Sequence, residues 1–294
     1  MLLGLPKFDH IFCETTEDAC SLLAKYQGEA MVLAGGTDLL VKMKHKKILP
    51  AYLINIKRIP DLNYIHYDDL EGARIGALTT MQTLRNSPLL KKKFSVLSQA
   101  AGVLGTAHVR NLATLGGNLC NASPASECAS PLLTLEARAK IVGAAGERTV
   151  PLESFFLRPG KSVLQCDELL TEIQIPNLPP QAEGVHIKYG TRRTDVSIVG
   201  VSVVIVLDGD KCRDVKIALA SVGPTPFRAK KAEDVLRGQK IGGVVEDLLA
   251  QVAQTAADES FPIDDLRGSA DYRRQLVMSM VRQGIERALA QARC

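Results

Sequence analysis

The chain has no tryptophan and a net charge of only +4 over 294 residues. Its most basic run, Lys42-Met43-Lys44-His45-Lys46-Lys47, has no aromatic interleaved to stack on bases. No nucleic acid is expected as a partner. The run reads as a solvated face or turn, or else as a dock for an acidic partner. There is no Cys-x-x-Cys. The seven cysteines (Cys13, Cys20, Cys120, Cys128, Cys166, Cys212 and Cys294) are scattered, which excludes the usual ligand spacing of a structural zinc or an iron–sulfur cluster. Their odd number also argues against a disulfide framework. No two glycines stand as Gly-x-Gly, so the Rossmann dinucleotide fingerprint is absent. No apolar run approaches the ~20 residues of a membrane span, and the opening Met1-Leu2-Leu3-Gly4-Leu5-Pro6-Lys7 is too short for a signal peptide. The expectation is a cytoplasmic chain that is not an integral membrane protein.

With 46% hydrophobic and 23% charged residues, the composition is that of a globular chain long enough for two or three substructures. Short apolar or alternating runs at 30–33, 51–56, 64–67, 73–78, 140–142 and 169–175 read as strands. Thr79-Thr80 caps a helix through Arg85, Pro88 opens a longer one to about 101, and 129–137 reads as helical. Pro176, Pro179 and Pro180 mark a domain boundary. Beyond it, 186–192, 197–207 and 215–222 read as a meander, with a turn at Asp208-Gly209-Asp210, and 228–237, 244–257 and 272–292 as helices.

Two paired-glycine stretches share a signature: Ala34-Gly35-Gly36-Thr37-Asp38 and Thr114-Leu115-Gly116-Gly117-Asn118. Paired glycines reach φ > 0 and let backbone N–H groups approach a ligand closely, and each pair is followed by a hydrogen-bonding side chain. One such loop is most simply a tight turn. Two point to an elongated, dinucleotide-sized anion. Pro159-Gly160-Lys161-Ser162 ends like a P-loop, but Phe155 stands where its first glycine belongs, so it reads as a turn. Asn121-Ala122-Ser123 matches a glycosylation sequon by accident, with Pro124 next to it.

Those glycine stretches, extended to Val109-Arg110-Asn111-Leu112-Ala113-Thr114-Leu115-Gly116-Gly117-Asn118 and Ala122-Ser123-Pro124-Ala125-Ser126-Glu127, resemble the FAD-binding middle subunit of the molybdenum hydroxylases. Xanthine dehydrogenase and aerobic carbon monoxide dehydrogenase are members of that family. The likeness runs the whole length, since Ser221-Val222-Gly223-Pro224-Thr225-Pro226 and Tyr272-Arg273-Arg274 look like markers of its C-terminal domain. The resemblance implies an α+β protein: a two-subdomain FAD-binding fold of the vanillyl-alcohol-oxidase (PCMH) type, then an antiparallel sheet with helices. The domains would be 1–178, divided near 57, and 179–294.

The resemblance further implies noncovalent FAD, with Val32, Leu33, Ala34, Gly35, Gly36, Thr37, Asp38 and Leu39 along the diphosphate. Thr114, Gly117, Asn118, Ser123 and Glu127 would lie on the second stretch, and Leu104, Leu170 and Lys188 along the flavin. Ordinary core explains Leu104 and Leu170 equally well, and an exposed strand explains Lys188. Tyr189, Arg192 and Asp195 lie where relatives control access to the ring, or else form a charged hairpin surface. His108 reads as a structural residue, and Cys120 is the nearest residue for a covalent flavin bond that the family does not make. No catalytic residue and no metal ligand is expected in this chain. The molybdenum cofactor and [2Fe-2S] clusters would sit on large and small partner subunits, in a dimer of heterotrimers, with NAD, a quinone or ferredoxin as acceptor. Two rival readings remain: a self-contained flavin oxidoreductase, and an assembly subunit that has lost FAD.

Overall fold

The computed structural model describes residues 4–241 and 246–293. A small parallel sheet comes first, in which Asp9–Phe12 and Ala30–Leu33 both pair with Tyr52–Asn55. Parallel neighbours need crossovers, which the helices Thr16–Lys25 and Leu39–Lys44 supply. A five-stranded antiparallel sheet follows, in the order Ile65–Asp68, Gly72–Gly76, Leu169–Ile175, Arg138–Gly143, Gly146–Pro151. Its central strand, Leu169–Ile175, comes last in sequence and is buried almost throughout, which is why it reads as an apolar run. Helices inserted between Gly72–Gly76 and Arg138–Gly143 share its core, with Leu84, Leu97 and Leu132 packed among Ile75 and Ile173.

The C-terminal part is an antiparallel sheet of Ala182–Tyr189, Val199–Asp208, Lys211–Ala220 and Phe227–Arg228. The helices Lys230–Leu236, Glu246–Asp258 and Ala270–Ala292 share a second core with it, around Val201, Val203, Ile217, Val252 and Val281. Gly284 lets the last helix approach closely, since a Cβ there would stand 3.0 Å from Val203 Cγ2. The α+β class and the layer order are those expected. No helix among the described residues is long and apolar enough to cross a membrane.

Local departures have local causes. The helix expected from Pro88 to about 101 is two, Pro88–Lys93 and Ser95–Val103, broken at Phe94. Phe94 leaves helical geometry at φ −141° while its ring is buried in the core. The helix expected over 129–137 stops at Thr134, because Glu136 turns the chain at φ 52° into Arg138–Gly143. Asp9–Phe12 and Gly146–Pro151 are strands without an apolar run to announce them. The start expected for the helix at Val244 lies outside the described residues.

Arg273, in the first turn of Ala270–Ala292, is fully buried. Its guanidinium donates to the carbonyls of Ile198 and Ser221, both at 3.0 Å, and to Asp265 Oδ1 at 2.6 Å. Ser221 sits at φ 68°, a conformation that side chains disfavour, and its N–H donates to Pro124 O at 2.8 Å. The hydrogen bond from Arg267, with help from Arg273, holds the Asp265 carboxyl well below the usual carboxylate range. Folding therefore favours its charged form. That contribution is complete above the unfolded value of about 3.9 and is lost as pH falls through the lower folded value. Replacing Arg273 with Met orphans two carbonyls and should cost about 3 kcal/mol in urea unfolding; an unchanged midpoint and slope would contradict the bracing role.

Candidate cofactor-binding site

The two glycine stretches meet in space. Strand Ala30–Leu33 ends at Gly35-Gly36, where Gly36 takes φ +71° and the chain turns into helix Leu39–Lys44. A Cβ on Gly35 would stand 2.1 Å from Leu112 O and 3.1 Å from Ala113 Cα. The first loop thus lies on the backbone that leads into the second. Gly116 is also tightly placed: its Cβ would stand 2.7 Å from that of Ala77, and its N–H donates to Ala77 O at 2.8 Å.

The second stretch, expected as a loop, is the first turn of a short helix, Leu115–Cys120. Thr114 is its cap, accepting from the Gly117 N–H at 3.1 Å. Gly117 therefore has no left-handed φ, and a Cβ on it would meet only Thr114 Oγ1, at 2.9 Å. Ahead of this helix Arg110 donates to the carbonyls of Leu104 at 3.0 Å and Gly105 at 2.9 Å, fixing the turn that carries Leu104. Burial, with Arg85 and Arg193 adding to it, lowers the Arg110 pKa.

Both stretches border one cavity of about 830 Å³, a size typical of ligand sites. Val32, Ala34, Gly35, Gly36, Thr37, Asp38 and Leu39 line it, as do Leu104, Thr114, Gly117, Asn118, Ser123, Glu127, Leu170 and Lys188. Leu33 does not. Its side chain is buried in a small cluster with Met43 and Leu53. Leu104 and Leu170 belong at once to the hydrophobic core and to the cavity wall.

Asn118 Oδ1 accepts from Ser126 Oγ at 2.7 Å and from the Cys128 N–H at 3.2 Å, and its amide NH₂ donates to no partner among the described residues. Lys188 is no exposed strand lysine: its side chain is 6% exposed, paired with Glu127 Oε1 at 2.9 Å and donating to Val103 O at 3.1 Å. His186 lies behind this pair, with Nε2 3.8 Å from Glu127 Oε2 and without a hydrogen bond, and Nδ1 2.9 Å from Ser202 Oγ. Burial pushes the Cys120 thiol up to about 12, the opposite of an activated nucleophile.

Sequence reading missed other parts of the wall. Gly160-Lys161-Ser162 does form a turn, with Gly160 at φ 74°, but that turn lines the cavity. Lys42, from the basic run, lines it and donates to Asn121 Oδ1 at 2.5 Å. Gln165, Cys166 and Thr194 line it without any sequence signal. Of the three access positions only Asp195 borders the cavity; Tyr189 hydrogen-bonds Tyr272 at 2.8 Å, and Arg192 offers its N–H to Asp195 Oδ2 at 3.2 Å. His108 is exposed and away from the cavity.

Residues 6–178 match the model of the FAD binding domain in molybdopterin dehydrogenase. Residues 187–288 match that of the CO dehydrogenase flavoprotein C-terminal domain. The chain belongs to the FAD-binding subunits of molybdopterin dehydrogenases. It is 32% identical to the glyceraldehyde dehydrogenase medium chain of Sulfolobus acidocaldarius, over 92% of this chain and 95% of that one. To the xanthine dehydrogenase FAD-binding subunit of Escherichia coli O157:H7 it is 30% identical, over 95% and 94%. A carbon monoxide dehydrogenase structure from Hydrogenophaga pseudoflava superposes with a TM-score of 0.94 at 31% identity, over 98% of this chain and 99% of that one.

In this FAD-binding subunit the glycines within the two pairs do unequal work, Gly35 and Gly116 packing against neighbouring backbone and Gly117 against one hydroxyl. Gly35→Ala forces its Cβ into a carbonyl and should cost at least about 2 kcal/mol in denaturant unfolding. Gly117→Ala crowds one hydroxyl in a helical turn and should stay within about 1 kcal/mol of wild type. Equal losses would contradict the packing described.

Proposed function

We propose that the cavity holds one noncovalent FAD and that the chain relays electrons within a heteromeric molybdenum hydroxylase. The observation that carries this reading is the convergence of both glycine stretches on one cavity. The residues present fit the cofactor. Gly35 and Gly36 form a cradle with no side chain, Thr37 and the Asn118 amide supply donors, and Leu104 and Leu170 supply apolar wall for a ring. Val32, Ala34, Asp38, Leu39, Thr114, Gly117, Ser123, Glu127 and Lys188 are assigned to the same site, and Leu33 only through its backbone. FAD, when bound, supplies redox chemistry that joins one-electron carriers to an acceptor of one or two electrons. The chain's own part is to hold it, keep it dry and set the local charge. Lys188 contributes a buried positive charge, which Glu127 partly offsets.

We assign the chain three units, 1–57, 58–178 and 179–294, in a cytoplasmic assembly. The partners are a large molybdenum-cofactor subunit and a small [2Fe-2S] subunit, in a dimer of heterotrimers, with NAD, a quinone or ferredoxin as acceptor. The substrate reacts at the molybdenum. A self-contained flavin enzyme would need an acid or base beside the ring. No histidine lines the cavity among the described residues, and two of its carboxylates are tied up, Glu127 by Lys188 and Glu168 by Arg148.

Isolation from the native host should yield a yellow complex with two further kinds of subunit and about one FAD per chain, released by acid or heat. A colourless, folded chain that ignores added FAD would leave the assembly-subunit reading standing. Within the complex, Lys188→Met should lower the flavin's reduction potential and Glu127→Gln should raise it. Spectroelectrochemistry that finds neither shift would remove the pair from the flavin's surroundings.

A further inference from the structure

The cavity wall carries three lysines, Lys42, Lys161 and Lys188, and Lys188 is matched by Glu127. Neither Lys161, which is exposed, nor Lys42 has such a partner among the described residues. Lys42 rests its ammonium on a neutral oxygen, Asn121 Oδ1. It is half-buried, whereas Lys44, Lys46 and Lys47 in the same run are exposed.

Its position in the fold is specific. Lys42 lies on helix Leu39–Lys44, which begins directly after Gly35-Gly36, and its N–H donates to Asp38 O at 2.9 Å. Asn121 ends helix Leu115–Cys120, the helix that carries Gly117 and Asn118. The Lys42–Asn121 bond therefore ties the two glycine stretches together at the cavity wall. Backbone N–H groups bring partial charges to a diphosphate but no full counter-charge. An ammonium held on an amide oxygen keeps its full charge.

We propose that Lys42 is the counter-charge for the cofactor's diphosphate, held ready between the two glycine stretches by Asn121. The proposal rests on the FAD reading above and adds a residue to it. A charge-assisted contact of this kind slows ligand release by at least about tenfold, and ionic strength weakens it where water reaches the site.

The experiment follows release of FAD from the complex as isolated, by the rise of free-flavin fluorescence, at low and high salt. Lys42→Met should release FAD at least about tenfold faster at low salt and lose most of the wild-type acceleration by salt. Lys42→Arg should restore slow release, and Lys44→Met and Lys47→Met should match wild type. If Lys42→Met fails to assemble, Lys42→Gln, which keeps a donor for Asn121 but no charge, should show the same fast release. Wild-type release in both Lys42→Met and Lys42→Gln would overturn the proposal. So would equal acceleration in the Lys44 and Lys47 variants, which would mean a diffuse field. A wild-type complex without FAD would overturn the reading beneath it, and the proposal with it.

Discussion

The site depends on a contact that only a missing side chain permits: the backbone of Gly35 against the carbonyl of Leu112. A Cβ at 2.1 Å from an oxygen has no rotamer to retreat into, so any other residue must push the loops apart. Because the contact is backbone on backbone, the end of the first parallel sheet and the start of helix Leu115–Cys120 are held at a fixed distance. Gly116 repeats the device against Ala77, which anchors that helix to the end of strand Gly72–Gly76. The cavity is bordered by both of these close approaches, with Gly35, Ala77, Ala113 and Gly116 all in its wall.

The C-terminal part completes the wall and braces it. Lys188 comes from its first strand, and Thr194, Asp195 and Val196 from the turn after it. Ser221 donates its N–H to Pro124, next to the cavity residue Ser123, and Arg273 grips the carbonyls of both Ser221 and Ile198. The two C-terminal marker segments are thus joined through one buried guanidinium to the loop after the second glycine pair.

Much of this was legible in advance, for reasons visible residue by residue. Strands with apolar runs announced themselves, Leu169–Ile175 above all. Glycine pairs showed where backbone must come close, and the residues that the family resemblance named, Leu33 apart, all border the one cavity, though they are less than half of its lining. Leu33 was named as part of one contiguous stretch, whereas its side chain packs with Met43 and Leu53. The second glycine pair looked like a loop because glycine is a poor helix former, yet Thr114 caps a helix there. Lys188 was ambiguous because its burial depends on Glu127, sixty-one positions earlier in the chain. Lys42 and the Gly160-Lys161 turn were read by their neighbours in sequence, as a solvated run and a turn, whereas their place in the cavity wall comes from neighbours in space.

The central claim is that chemistry on the organic substrate happens elsewhere and that this chain only passes electrons through FAD. The most direct test follows the visible flavin absorbance anaerobically, with purines, aldehydes, carbon monoxide or aromatic thioesters, first for the FAD-loaded chain alone and then with its molybdenum and iron–sulfur partners. The account predicts that the lone chain bleaches with dithionite but with none of these substrates, and that one of them bleaches the flavin once the partners are present. Bleaching of the lone chain by an organic substrate would contradict it.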